Sequence, residues 1–258
     1  MGKKDDYIKR LLSLDDWDEY LLQESGLPGP RGNLELAQAV ADLGSIELFR
    51  RYIGYTADRA PVNSPYEFLA FCGVVGLGRL LAEGDFSHFL TLRVFASDPR
   101  WRLREAVAMA LQRLGDVNMD ILLHEMRSWA KGNPLEQRAA VAALCEPRLL
   151  VKAEYAVATL EMLDRITASI SDIRERRSED FLVLRKGLGY CWSVAVVASP
   201  VSGKVYFDKW LNDPDKDIRW IMKQNLGKAR MLRMDADWVE ETRSRLSAME
   251  PINSQRTL

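Results

Sequence analysis

The sequence predicts an all-α fold, a right-handed solenoid of stacked helix pairs, and three observations carry that prediction. Arg104, Arg138, Arg185 and Arg219 fall at intervals of 34, 47 and 34 residues, each about five positions into an apolar-periodic segment. Ser64-Pro65, Asp98-Pro99, Asn133-Pro134 and Asp213-Pro214 precede four such segments. Alternating strand patterns are essentially missing. Self-similarity at this period, with two helices in each period, is the signature of stacked helical repeats.

The elements follow in order. Residues 7–23 read as an amphipathic helix that buries Ile8, Leu11, Leu12, Tyr20 and Leu21, and Gly26-Leu27-Pro28-Gly29-Pro30-Arg31-Gly32 then breaks the chain. Residues 34–52 resume as helix, and 54–63 form a loop. Helices are predicted over 65–82, 86–95, 99–114, 119–130 and 134–145. A longer hairpin, 152–170 and 180–197, flanks the charged turn at residues 174–179, read as a solvated tip. Helices over 201–211, 214–229 and 236–249 close the stack. Proline in the first helical position forfeits no hydrogen bond, and Asp, Asn or Ser before it caps free amides. Residues 1–33 are expected to cap the solenoid as an N-terminal helix and Gly/Pro loop. Residues 34–250 are expected to be the solenoid, and 251–258 a flexible tail.

Composition narrows the function classes. Lys and Arg number 36 against 37 Asp and Glu, so no global polyelectrolyte attraction to nucleic acid exists. Residues 1–90 carry 9 basic against 14 acidic side chains, whereas residues 91–233 carry 24 against 18. The repeats are therefore mildly basic. Cys72, Cys145 and Cys191 are far apart in apolar patterns and read as buried free thiols in a reducing, cytoplasmic setting. His88 and His124 have no second ligand at zinc spacing, so neither a metal nor another cofactor is implied. The longest uncharged apolar run, residues 68–78, is too short to span a bilayer. Gly73-Val74-Val75-Gly76-Leu77-Gly78 lacks a preceding strand and a following Lys-Ser/Thr. It reads as a close approach of two helices rather than a phosphate loop.

The helix over 99–114 has one unusual face. At roughly 100° per residue, Leu103, Ala106, Val107, Ala110, Leu111 and Leu114 form a core stripe. Trp101, Glu105, Ala108 and Gln112 lie nearly opposite, flanked by Arg100, Arg102, Arg104 and Arg113. Trp101 admits two readings. It lines a groove with Glu105, or it packs under the preceding loop as a staple at the helix start. Trp192, Trp210 and Trp220 read as packing residues, and Trp129 as a cover for the turn at residues 132–134.

Several short motifs occur in an order that resembles a known family. Glu136-Gln137-Arg138-Ala139-Ala140-Val141, Lys186-Gly187-Leu188-Gly189-Tyr190 with Pro200 ten residues on, Ile218-Arg219-Trp220-Ile221-Met222-Lys223 and Trp101-x-x-x-Glu105 are similar to motifs of the AlkD-type alkylpurine DNA glycosylases. Those enzymes are HEAT-like solenoids, and the resemblance covers roughly residues 98–230. It implies a cleft in which Trp101 and Tyr190 are aromatic walls, Glu105 is the catalytic carboxylate and Arg138 contacts phosphate. Glu105 stands where the family has Asp, and Tyr190 where it has Trp. An N-alkylated purine is already cationic, so a carboxylate stabilising the developing sugar cation could act without a metal. Arg138 also shares the repeat position that HEAT-type stacks use for an arginine–aspartate ladder.

Two function classes follow. The favoured reading is binding of duplex DNA in an alkylation-repair-like cleft, with Arg100, Arg102 and Arg104 as phosphate contacts. Release of an alkylated purine through Glu105 is the catalytic extension, left open. The other class is a non-catalytic scaffold that holds a protein or peptide in the groove, with Trp101 as anchor.

Overall fold

A computed structural model describes residues 2–248; the tail expected over 251–258 lies outside the described residues, as do 249–250 of the expected repeat region. Among the described residues the chain is all-helical, with fifteen α-helices, three short 3-10 turns and no strand. It divides into two compact units, one up to Trp129 and one from Ala130 onward. The Gly/Pro loop at 26–32 belongs to the first unit.

The first unit holds α1 (Lys3–Leu12), α2 (Asp18–Glu24), α3 (Leu34–Leu43), α4 (Ile46–Ile53), α5 (Pro65–Ala82), α6 (Phe89–Phe95), α7 (Trp101–Val117) and α8 (Met119–Trp129). Alternate helices lie against each other: α1 on α3, α3 on α5 and α5 on α7. The single helix expected over 7–23 is two. Ser13 Oγ donates to Arg10 O at 2.7 Å and Trp17 Nε1 to Leu11 O at 3.0 Å, which closes α1 by satisfying its terminal carbonyls. The helix expected over 34–52 also divides, because Ser45 accepts from Leu48 N and caps a new helix after Gly44.

The glycines of α5 do what their spacing implies. A methyl at Gly78 would lie 2.5 Å from Ala110 Cα on α7, and one at Gly73 would lie 2.9 Å from Ile53 N on α4. A methyl at Gly76 would collide with the Phe49 ring. Backbones approach here to a distance that only hydrogen at Cα allows.

The second unit holds α9 (Pro134–Leu144), α10 (Ala153–Ser169), α11 (Glu179–Ala198), α12 (Pro200–Asp208), α13 (Lys216–Leu226), α14 (Ala229–Met234) and α15 (Ala236–Ala248). Helix α11 is its centre, packing on α9, α10, α12 and α13. Trp192 is fully buried with Nε1 donating to Thr167 Oγ1 at 3.1 Å, and Trp210 Nε1 donates to Asp164 at 2.9 Å. Both are packing residues, as expected. The charged turn is not wholly solvated. Arg176 reaches across to Asp215 at 2.8 Å and Asp217 at 3.2 Å, with its guanidinium 5.1 Å from the Phe181 ring. Arg174 and Arg177 remain exposed.

The proline dipeptides divide into two kinds. Ser64 and Asn133 cap α5 and α9 with Pro at the start of the helix. Asp98 and Asp213 do not cap. Each accepts instead from the amide two residues on, Arg100 N and Asp215 N, both at 2.8 Å. Proline has no amide to offer at the intervening position. The helices consequently begin later, at Trp101 and Lys216.

Helices α5 and α11 are long and apolar enough to cross a membrane by composition, but 78% and 56% of their apolar windows are buried within the fold. They are the core helices of the two units.

Candidate functional site

The three arginines expected to meet phosphate are internal. Arg100 is 1% exposed, and Arg102 and Arg104 are 6% exposed. Arg100 forms a two-pronged ion pair with Asp98 and donates to the carbonyls of Tyr55 and Ala60. Arg102 pairs with fully buried Glu67 at 3.1 Å, and its other terminal nitrogen donates to Gly29 O at 2.6 Å and Asn63 Oδ1 at 3.1 Å. Arg104 donates to Asp98 O and Pro99 O at the start of its own helix. A guanidinium whose donors are committed in this way cannot turn to a phosphate without leaving a buried partner unpaired. Arg100, Arg102 and Arg104 are therefore corrected from phosphate contacts to structural clamps. Arginine on a wheel looks exposed because its long stem hides where the charge goes.

Trp101 stacks on its neighbour Arg102. It is 45% exposed, and one face of its indole lies 4.4 Å from the Arg102 guanidinium. The ring screens the Arg102–Glu67 pair from water. Glu105 is half-buried one turn along, and Ala108, expected on the outer face, is buried. Helix α7 is thus covered on more than its core stripe.

In the second unit, Tyr190 is likewise 45% exposed, on α11. Arg230 donates to its hydroxyl at 2.6 Å and holds its guanidinium 4.5 Å from the ring centre, while Lys228 Nζ lies 5.7 Å from that centre. Lys186 is exposed one turn earlier on α11, so it shares the face of Tyr190. Two cations thus meet an exposed aromatic ring, and a third lies on the same helix face. Arg138 is half-buried on α9, with its stem at van der Waals distance from the space beside Gly187. The four site residues named by resemblance are divided between the units, Trp101 and Glu105 in the first and Arg138 and Tyr190 in the second.

Reasoning from sequence missed Lys228 and Arg230. They lie 38 and 40 residues beyond Tyr190, and only the packing of α14 on α11 joins them. Lys186 was within reach, since four residues in a helix mean one face.

One arginine–aspartate pair of the kind such a ladder uses is seen in the second unit. Arg185 pairs with Asp217 on α13 at 2.6 Å and stacks 4.4 Å from the Trp220 ring. In the first unit a comparable bond joins Arg102 and Glu67. Asp215 and Asp217 organise the start of α13. Burial alone would raise the Asp215 pKa, but the Arg176 bond and the amides of Asp217 and Ile218 outweigh it and hold the carboxyl below its ordinary value.

Fold and site together define an all-helical protein with an exposed, cation-ringed tyrosine. No family model, curated protein or solved structure matches the chain.

Proposed function

We propose that this chain is a helical-repeat protein that binds duplex DNA through Tyr190 and the cations beside it. The observation that carries this reading is the placing of Lys228 and Arg230 at the exposed Tyr190 ring, with Lys186 on the same face of α11. Phosphate oxygens would meet the ammonium and guanidinium groups, and the ring offers a flat contact to sugar or base. The stacking of alternate helices within each unit supports the reading of HEAT-like, right-handed helix pairs. Three free thiols are in keeping with a cytoplasmic location.

The test is duplex-DNA retention across a salt series. Replacing Lys228 and Arg230 together by Glu is expected to weaken binding about tenfold or more at low salt and to reduce the salt slope by about two. The same change at Arg50, exposed in the first unit, is expected to leave binding nearly unchanged. No retention at low salt, or equal losses from both changes, would overturn the assignment. Base release through Glu105 is the catalytic extension; 7-methylguanine appearing from methylated DNA with wild type but not with Glu105→Gln would establish it.

The scaffold reading has its own support. Leu90 and Val94 on α6, and Val201 and Val205 on α12, are pairs of exposed apolar side chains one turn apart. A partner helix could cover such a pair.

A further inference from the structure

Two of the three cysteines are in contact. Cys145 ends α9, its amide donating to Val141 O at 2.9 Å, and Cys191 on α11 points its Sγ to the same carbonyl oxygen at 3.5 Å. The two residues thus meet at one carbonyl oxygen, one through its amide and the other through its sulfur. Both are buried, and Cys72 lies apart in α5 of the first unit. Burial pushes the Cys145 thiol up in pKa, the Cys191 contact adds to this, and the nearby Arg230 guanidinium opposes it. Cys145 therefore rests protonated, with a second cysteine beside it.

We propose that Cys145 and Cys191 are a reversible disulfide site, closed by a hydroperoxide. In the first step the sulfur of one cysteine, as thiolate, attacks a peroxide oxygen. The O–O bond breaks, and the leaving oxygen departs as water (or as an alcohol from an organic peroxide), leaving a sulfenic acid. In the second step the other sulfur attacks the sulfenic sulfur, the S–O bond breaks, and water leaves with the second thiol proton. Two thiols are oxidised and one peroxide is reduced. A dithiol reductant reverses the change by exchange.

The position gives closure a consequence. A disulfide needs its sulfurs at about 2.05 Å and its Cβ atoms within about 3.5–4.5 Å. Closure would draw the end of α9 toward α11 at the residue next to Tyr190. Arg230 bears on both features, since it bonds Tyr190 and its charge acts on the Cys145 thiol. Oxidation would therefore alter the cation-ringed face. That coupling rests on the DNA-binding reading, whereas the disulfide chemistry does not.

The experiment treats the full chain with hydrogen peroxide, blocks remaining thiols with an alkylating agent after denaturation, and maps the peptides. The expected result is a Cys145–Cys191 cross-link with Cys72 alkylated, and full alkylation of all three after dithiothreitol. Cys191→Ser, treated identically, is expected to give no intramolecular cross-link. Three alkylated thiols after peroxide, separate irreversible oxidation of the two cysteines, or a cross-link through Cys72 or between chains would each overturn the proposal. DNA retention by the cross-linked wild type then tests the coupling alone: weakened retention supports it, and unchanged retention removes the coupling while leaving the disulfide standing.

Discussion

In the first unit an arginine, a tryptophan and a carboxylate meet as Arg102, Trp101 and Glu67; in the second they meet as Arg185, Trp220 and Asp217. The guanidinium lies 4.4 Å from the indole in both. The surroundings differ. Glu67 is completely buried and is answered by Arg102 and the Asn63 amide. Asp217 serves two arginines, and each of these keeps about a quarter of its side chain in water. The same three residue types thus form a sealed pin in one place and a wetter strut in the other. What separates them is how much water each charge gives up, and this cannot be judged from the residue types alone.

The largest effect is expected where that loss of water is most complete. Arg102→Ala should destabilise the protein by about 3–5 kcal/mol, because Glu67 is left buried without its cation. Chemical denaturation would measure it. Changing both partners to leucine should recover most of the loss, and equal destabilisation by the single and double changes would show that the ion pair is not the cause.

A smaller effect separates the close helix approaches. Gly78→Ala should cost about 1–3 kcal/mol, since the added methyl meets the α7 backbone. Gly187→Ala in the second unit meets only ordinary contacts with Arg138 and Val141. It is expected to be neutral or to gain up to about 1 kcal/mol from the better helix former. Matching melting temperatures for the two variants would contradict the difference in packing.

The smallest effect concerns acid. The Asp215 carboxyl in the second unit and the Asp42 carboxyl in the first are both held below their ordinary values. Burial acts against this in each case, but bonds to Arg176 and to Lys4 and Arg113 respectively outweigh it. A lowered folded-state pKa stabilises the fold above the unfolded value, about 3.9, and that contribution fades as pH falls through the folded pKa. Denaturant midpoints at pH 7 and pH 3 should therefore differ less for Asp215→Asn than for wild type. An equal drop in both would remove Asp215 from the account.

Much of the fold was legible because helix patterns are local. The Ser64 and Asn133 starts, the helix over 65–82 and the packing role of its glycines all follow from residues within a few turns. The breaks at residues 13–17 and 44–45 were missed because the apolar period continues across them, while single capping bonds end one helix and begin the next. The site was legible only in part. Tyr190 and Lys186 share a helix, but Lys228 and Arg230 reach them through tertiary packing. The misreading of Arg100, Arg102 and Arg104 has one physical cause. A wheel reports the direction of Cβ, and an arginine can carry its charge several ångströms from there into a buried acceptor.

The bond from Arg102 to the Gly29 carbonyl bears on the order in which the chain acquires its shape. Gly29 also takes its amide partner from Asn63, so both ends of that peptide link depend on residues 34 and 73 positions downstream. During synthesis from the N-terminus, the loop before α3 has neither fastening until those residues have left the ribosome. Its bonds to Tyr7, Glu24 and Ser25 can form as it emerges, whereas the fastening at Gly29 waits on the start of α7.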